Sequence, residues 1–141
     1  MTDASGRDRD RAIVQAFMDK LGHENDVDGL LALLAEDVEV WTPFAPAGLP
    51  KRFKGIAEID ARFGDARRPM PFFSFFDVMI RGTDDPACWV VTCRSEGEQV
   101  DGRKYTNIYC WMFWLRDGRI RAWTEYYDPQ QVMPFLDHIG G

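Results

Sequence analysis

Apolar residues recur at helical spacing in the first half of the chain. Over residues 11–21 they return every three or four positions, which predicts an amphipathic helix, and residues 56–63 show the same spacing. The segment 29–35 is nearly continuous in leucine, so we expect a short helix that the core surrounds on most sides. Residues 1–10 are polar and are predicted to form a disordered tail before a single domain over residues 11–141.

The second half of the chain changes to the pattern of β-strands. Four runs of aromatic and β-branched residues are bounded by turn residues, and a shorter alternating run precedes them: residues 72–81, 88–96, 105–115, 120–127 and 38–41. A final helix is predicted over residues 129–139, because Pro129 suits the first helical position. Helices followed by a long meander indicate an α+β fold in which a cone-shaped, curved antiparallel sheet packs on the N-terminal helices. Such a fold encloses an apolar pocket.

The dipeptide Asp117-Gly118 predicts the register of the last hairpin. A two-residue turn at this point places Cys110 opposite Glu125. On this register, the side chains that share the face of Glu125 are Ile108, Cys110, Met112, Trp114, Arg121, Trp123 and Tyr127. Asn107 and Tyr109 lie on the other face, which is also largely apolar. We therefore expect one face to line the cavity and the other to join two copies of the chain in a homodimer.

Glu125 is the main candidate for a catalytic residue. Its predicted neighbours Trp123 and Tyr127 offer few polar partners for a charged carboxylate. Burial disfavours the charged form, and raising a glutamate pKa from about 4.3 to between about 6 and 7 needs roughly 3 kcal/mol of desolvation. A carboxyl group in that range can act as a general acid or base near neutral pH. An ion pair with Arg94 or Arg121 is the alternative interpretation.

The other pocket candidates are mostly apolar. The residues predicted to line a substrate site are Trp41, Ile108, Cys110, Met112, Trp123 and Tyr127. Asn107 and Tyr109 can orient a substrate carbonyl, although hydrogen bonds at a subunit interface would explain them equally well. The spacing of histidines and cysteines indicates no metal site, and the chain has no glycine-rich phosphate loop or serine nucleophile motif. The predicted chemistry uses no cofactor.

Charge and cysteine content indicate which partners the protein lacks and in which compartment it is expected. The chain has 17 basic and 23 acidic residues and a formal net charge of −6, so its field repels nucleic acid and anionic lipid. Its apolar runs are shorter than the roughly 20 residues that cross a bilayer, and the polar N-terminus lacks the features of a signal peptide. The three cysteines sit among apolar residues, as buried free thiols do. We expect a cytoplasmic protein with neither nucleic acid nor membrane as a partner.

Several local motifs occur in a characteristic order. They are Phe53-Lys54-Gly55, Asp85-Pro86 before the strand of Trp89, Asn107-x-Tyr109-x-x-x-Phe113-x-Leu115, Gly118-Arg119-Ile120, and Glu125 three residues before Asp128-Pro129. Together with the order of elements, they resemble the nuclear transport factor 2-like superfamily over nearly the whole chain, and within it the SnoaL-like polyketide cyclases. The motifs themselves are most similar to the phenazine biosynthesis A/B-type proteins. In that family a glutamate of the last strand is a proposed proton donor, and the resemblance assigns this role to Glu125.

The segment 123–128 also resembles the limonene epoxide hydrolases, in which a carboxylate activates water. Arg94 and Glu96 match the spacing of an arginine and a second carboxylate in that family, which makes them candidate catalytic partners of Glu125. The tyrosine and asparagine of that family, and the acidic residues of ketosteroid isomerases, have no counterparts here. A tight turn at Asp101-Gly102 would place Arg94 and Glu96 away from Glu125, whereas a longer loop or a bulge would reverse this.

The leading interpretation is a cofactor-independent enzyme. Glu125 would move a proton to or from an apolar ketone-like or polycyclic metabolite in an isomerisation, cyclisation or condensation, with secondary metabolism as one setting. The alternatives are a non-catalytic ligand-binding or assembly module of the same fold and an epoxide hydrolase-like enzyme. An open cavity of roughly a few hundred cubic ångströms that reaches Glu125 favours an enzyme, and a filled core favours the module.

Overall fold

The structure, a computed structural model, describes residues 4–67 and 72–136. Helices and a strand pair come first along the chain: α1 (Ala4–Leu21), α2 (Val27–Leu31), β1 (Leu34–Trp41), β2 (Arg52–Lys54) and α3 (Ile56–Arg67). Four long strands and a short helix follow: β3 (Phe72–Gly82), β4 (Cys88–Glu98), β5 (Lys104–Arg116), β6 (Arg119–Tyr127) and α4 (Pro129–Val132). A single 3₁₀ turn, Met133–Phe135, comes after α4.

The strands form one curved sheet in the order β2-β1-β6-β5-β4-β3. Consecutive strands from β3 to β6 pair antiparallel, as the turn residues predict, and the α+β fold class is confirmed. The predicted all-antiparallel pairing is wrong at one place, because β1 runs parallel to β6. These two strands are connected only through the whole intervening chain, so no tight turn forces them to run in opposite directions.

The first helix is longer than its apolar pattern predicts. It begins at Ala4, so the prediction of a disordered tail over residues 1–10 is wrong from Ala4 onward. Residues 1–3 lie outside the described part of the chain. In the added turns, the Arg7 guanidinium lies 5.3 Å from the ring centroid of Trp89, and just after them Arg11 donates a 2.7 Å hydrogen bond to the carbonyl of Ile80. Apolar periodicity does not report such contacts. The single-domain boundary stays a prediction.

The other helices also differ from their predicted limits. The leucine-rich segment 29–35 divides between two elements, because α2 ends at Leu31 and Leu34 already pairs with Ile120 of β6. The helix predicted over residues 129–139 ends at Val132, and its last residues lie outside the described part of the chain. Its start is as predicted, since the side chain of Asp128 accepts a hydrogen bond from the Gln130 N–H and caps the helix.

The core lies between the helices and the concave face of the sheet. Phe17 of α1 is fully buried there and makes edge-on contacts with Phe113, Trp111 and Trp123, at centroid distances of 5.0, 5.6 and 4.9 Å. Edge-on packing matches the positive edge of one ring to the negative face of another. This cluster holds the aromatic residues of β5 and β6 in place beneath the site described below.

A β-bulge near the last turn changes the register of the β5–β6 hairpin. Next to the turn, Leu115 pairs with Ile120 as the dipeptide predicts, but the following pair joins Trp114 to Ala122. The extra residue on β6 shifts every later pair by one, so Glu125 lies opposite Trp111 and not opposite Cys110. A shift of one residue exchanges the β5 side chains that share a face with Glu125 for those of the opposite face. The predicted composition of both faces is therefore wrong.

Candidate functional site

A partly open cavity lies between the concave face of the sheet and α3. Its volume is about 130 Å³, about ten times what one water requires. Ten of the seventeen described residues that line it are aromatic, and seven of these are phenylalanine or tryptophan: Phe53, Phe63, Phe73, Phe75, Trp111, Trp123 and Phe135. The polar side chains on the wall are Thr42, Arg62, Tyr105, Tyr109, Glu125 and Tyr127. The site is thus an apolar chamber with a few converging polar groups, the usual form of a small-molecule site.

Glu125 lies on the cavity wall between Trp123 and Tyr127 of its own strand. Burial raises the pKa of its carboxyl group from the ordinary value of 4.5 to about 7. The positive charge of Arg62 opposes this pKa shift, as does the nearby indole N–H of Trp123, although that N–H makes no hydrogen bond by distance and angle. The carboxyl group therefore exchanges its proton near neutral pH, which suits general acid and general base chemistry.

Arg62 is the site residue that the sequence analysis missed. It occupies the face of α3 that also carries Ile59 and Phe63, and this face lines the cavity. Its Nη1 atom is buried and has no hydrogen-bond acceptor among the described residues. A usable signal was present in the sequence, because Arg62 lies three residues after Ile59 and next to Phe63, on the apolar side of the helix.

Hydroxyl groups form a second polar cluster on the same wall. The hydroxyl oxygens of Tyr105 and Tyr109 are 3.3 Å apart, and the Ser95 hydroxyl lies 2.9 Å from that of Tyr109. Asn107 donates a 2.7 Å hydrogen bond to the Tyr105 hydroxyl. Burial raises the pKa values of Tyr105, Tyr109 and Tyr127 above the ordinary value, so these phenols stay protonated and can donate hydrogen bonds.

The Cys93 thiol is not activated as a nucleophile in this arrangement. Cys88, Cys93 and Cys110 are free thiols, and the first two are buried, as expected. Burial, and the nearby charge of Glu125, raise the pKa of the Cys93 thiol to about 12. A thiol of such a high pKa holds almost no thiolate near neutral pH, and the thiolate is the reactive form.

Some of the predicted substrate-binding residues do line the cavity. Trp123, Tyr127 and Tyr109 are on its wall together with Glu125. Asn107 lies on the same face of β5 but is buried behind the wall, where it accepts a 2.9 Å hydrogen bond from the backbone N–H of Asp128. Asn107 therefore positions Tyr105 and the end of β6, and it does not reach the cavity surface.

The remaining predicted binding residues are on the outside of the sheet, which corrects four assignments. Ile108, Cys110 and Met112 alternate with Tyr109 and Trp111 along β5 and so project from the convex face, where Ile108 is 66% exposed. The bulge explains this error, since it moves Glu125 to the face of Tyr109. Trp41 is also outside the cavity, and the Arg52 guanidinium lies 4.7 Å from the centroid of its ring.

Arg94 and Glu96 are not at the site either. Arg94 is opposite Ile108 in the sheet and forms a 2.7 Å ion pair with Asp77 on the convex face. Glu96 lies 3.8 Å from Arg94 on that face and is largely exposed. The sheet separates both residues from Glu125, so the structure contradicts the epoxide hydrolase-like arrangement and the proposed ion pair between Arg94 and Glu125.

Within residues 4–67 and 72–136, no cluster of three or more histidine, cysteine, aspartate or glutamate side chains is suited to hold a metal ion. In the same part of the chain, no helix has the length and apolar character needed to cross a membrane.

The chain belongs to the SnoaL-like domain family. The sequence profile of that family matches residues 14–123, which include the last part of α1, most of the sheet and Arg62 and end two residues before Glu125. The family assignment confirms the predicted resemblance to the SnoaL-like branch of the nuclear transport factor 2-like superfamily.

Solved structures of other proteins share this fold. A proposed isomerase from Bacillus subtilis superposes with a TM-score of 0.83 and 24% identity, covering 95% of each chain. A phenazine biosynthesis-related protein from Pseudomonas aeruginosa gives a TM-score of 0.81 and 21% identity over 97% of this chain and 86% of its own. A proposed polyketide cyclase from Xanthomonas campestris gives 0.75 and 22% over 94% and 97%. At these identities the likeness concerns the fold.

Proposed function

We propose that the protein is a small-molecule enzyme of the isomerase or cyclase type in which Glu125 transfers a proton to or from an apolar, ketone-like or polycyclic metabolite. The observation that supports this most directly is a carboxyl group with a pKa of about 7 on the wall of an open, aromatic cavity. Family membership agrees with this proposal, since proteins of the same fold include a proposed isomerase and a proposed polyketide cyclase.

The proposed reaction begins with the ionised form of Glu125. The carboxylate takes a proton from the carbon next to a substrate carbonyl, and the C–H electron pair forms a carbon–carbon double bond while negative charge moves to the carbonyl oxygen. Neutral tyrosine hydroxyls on the wall donate hydrogen bonds to that oxygen. In a substrate with a carbon–carbon double bond next to the carbon that lost the proton, the negative charge extends over that bond. Glu125 then returns the proton to the far carbon of the bond, the carbonyl re-forms, and the double bond moves into conjugation with it. Atoms and charge balance, because the carboxylate is regenerated.

The apolar wall contributes to this chemistry in two ways. A low local dielectric strengthens the hydrogen bonds that tyrosines make to the developing oxyanion. The same environment keeps the pKa of Glu125 close to neutral, where both protonation states are populated. The cavity reaches Glu125, which weighs against an assembly module with a filled core, but its volume of about 130 Å³ is below the roughly few hundred cubic ångströms set out above, and a ligand-binding module stays the alternative.

A test that does not require the natural substrate follows α-proton exchange in D₂O. A panel of aryl and alicyclic ketones is incubated with wild type, Glu125→Gln and Glu96→Gln, and loss of the α-proton signal is measured by NMR. Glu125→Gln removes the base without changing the shape of the side chain, so we expect exchange to fall by about 100-fold or more. Glu96→Gln makes the same chemical change on the convex face and should leave exchange unaltered. Equal rates in all three proteins would refute the role of Glu125.

We also infer that two copies of the chain associate through the convex face of the sheet. This face presents exposed apolar side chains, among them Ile108 of β5 and Met79 and Phe76 of the edge strand β3. On this face Arg94 forms an ion pair with Asp77 and also lies 3.8 Å from Glu96. An apolar patch with internally paired charges matches a second copy of itself better than a strongly charged partner.

A further inference from the structure

We propose that Arg62 binds an anionic group of the substrate, so that the enzyme acts on apolar keto acids that carry a carboxylate. This inference rests on the proposed function for the identity of the reacting group, but the anion site itself can be tested separately. The structural basis is a guanidinium on the cavity wall whose Nη1 atom is buried and lacks an acceptor among the described residues.

A buried guanidinium nitrogen without an acceptor is costly. Leaving a buried polar group unpaired costs about 1–3 kcal/mol, and more when the group is charged. Proteins usually satisfy an arginine with a carboxylate, and Arg62 has no ion pair with a described carboxylate within 4 Å. The missing acceptor is consistent with a ligand that supplies it, because a carboxylate can accept two parallel hydrogen bonds from one guanidinium.

Glu125 is the obvious internal alternative as a partner for Arg62. The two residues share the cavity wall, and the charge of Arg62 acts on Glu125. Desolvation nevertheless outweighs that attraction, so the pKa of Glu125 is raised and not lowered. A carboxyl group whose pKa is raised by burial is less able to neutralise the guanidinium than an ordinary carboxylate. The site therefore has a net positive charge whenever Glu125 holds its proton.

The two charged residues and the aromatic wall define how a keto acid would bind. Among the described residues that line the cavity, Arg62 and Glu125 are the charged ones, and they come from different elements, α3 and β6. A carboxylate at Arg62 would fix one end of the molecule, and the rings of Phe63 and Trp123 would contact its apolar body. The reacting carbon is then held at Glu125 by binding energy from the rest of the substrate.

Matched probes test the anion site without any turnover. 2-Naphthoate and 2-naphthamide have nearly the same size and shape, but only the first is an anion, and their affinities are measured by calorimetry at neutral pH. The proteins compared are wild type, Arg62→Met, Arg62→Lys and Glu125→Gln. Arg52→Met is the matched control, because Arg52 lies on Trp41 outside the cavity.

We expect wild type and Arg52→Met to bind 2-naphthoate about tenfold or more tightly than 2-naphthamide, as a charged hydrogen bond allows. Arg62→Met should lose this preference, and Arg62→Lys should keep part of it, because lysine retains the charge without the two-bond geometry. The side-chain NMR signals of Arg62 should shift when 2-naphthoate is added to wild type, which gives a readout even where a variant does not fold.

The proposal is overturned if wild type binds both probes equally, binds neither up to the solubility limit, or if Arg62→Met keeps the full preference. Glu125→Gln separates this proposal from the proposed function. A Glu125→Gln variant that loses proton exchange but keeps the preference for 2-naphthoate supports both proposals. Loss of the preference in Arg62→Met together with normal exchange in Glu125→Gln supports the anion site and refutes the acid–base role.

Discussion

The carboxyl group of Glu125 is controlled by opposing effects of burial and charge. Burial favours the protonated form, and the positive charge of Arg62 favours the ionised form. Burial is the larger effect, yet it raises the pKa only to about 7, so the group remains able to lose its proton at neutral pH. An anion bound at Arg62 would reduce the opposing charge and would favour the protonated form further.

The raised pKa of Glu125 predicts a specific dependence of stability on pH. Between pH 4.5 and about 7 the unfolded chain loses a proton that the folded protein keeps, so the free energy of unfolding falls as pH rises through this range. Above this range Glu125 is ionised in both the folded and the unfolded protein, so it causes no further change in the free energy of unfolding. A shift from 4.5 to about 7 corresponds to at most about 3 kcal/mol. The nearby tyrosines stay neutral throughout, because burial raises their pKa values above the ordinary value.

Urea unfolding from pH 4 to 8 checks this dependence with the same variants. The stability of Glu125→Gln relative to wild type should increase from pH 4.5 to about 7 and then level off. Other carboxylates contribute equally to both proteins, so the difference isolates Glu125. Glu96→Gln should follow the wild-type curve closely, because Glu96 is exposed. Parallel curves for wild type and Glu125→Gln would contradict the raised pKa.

The packing of α1 against the sheet holds two residues of the cavity wall in place. Phe17 is fully buried and touches Trp111 and Trp123, both of which also line the cavity. Truncating a buried phenylalanine leaves a cavity whose walls lose their contacts. The site geometry therefore depends on a residue that does not itself face the substrate.

We expect Phe17→Ala to lower the free energy of unfolding by about 3–5 kcal/mol, measured by urea denaturation. Phe72→Ala is the matched control, because Phe72 begins β3 and is 70% exposed. That control should change stability by no more than about 0.5 kcal/mol. Similar changes in the free energy of unfolding for the two substitutions would mean that the aromatic cluster around Phe17 contributes little to the stability of the core.

The β-bulge is the element-scale feature that assigns side chains to the site. Without it, Glu125 would share a face with Cys110 and Met112, which are on the convex side. With it, Glu125 shares a face with Tyr109 and Trp111. The Asp117-Gly118 turn itself forms as predicted, with both residues at positive φ of 52° and 77°. The turn residues predict the register next to the turn, but they do not predict a bulge three residues away.

For the whole molecule, the two faces of the sheet have different roles. The concave face forms the core and the cavity wall, and the convex face carries the exposed apolar patch around Ile108. A large exposed apolar patch on a soluble domain usually marks an interaction surface. This division is the structural basis of the proposed homodimer.

Light scattering after size exclusion tests the homodimer with one substitution on this face. Ile108→Glu places a charge at the centre of the patch, and a charge buried without a partner at an interface is strongly unfavourable, so we expect the dimer to dissociate into monomers. Val100→Glu is the control, because Val100 is 77% exposed in the loop after β4 and should leave the dimer intact. A monomeric wild-type protein would contradict the proposal.

Local patterns in the sequence determined the order of the elements, the α+β class, the hairpin turn and the identification of Glu125 as an acid among aromatic residues. Each depends on residues that are near one another in the chain, where propensity and periodicity act directly. Tertiary structure alone decided the parallel pairing of β1 with β6, the bulge, and therefore which face of β5 meets Glu125. It also decided that Arg94 and Glu96 lie outside the cavity while Arg62 lies inside. Distances between distant segments depend on strand register and helix packing, and a change of one residue in register reverses a face.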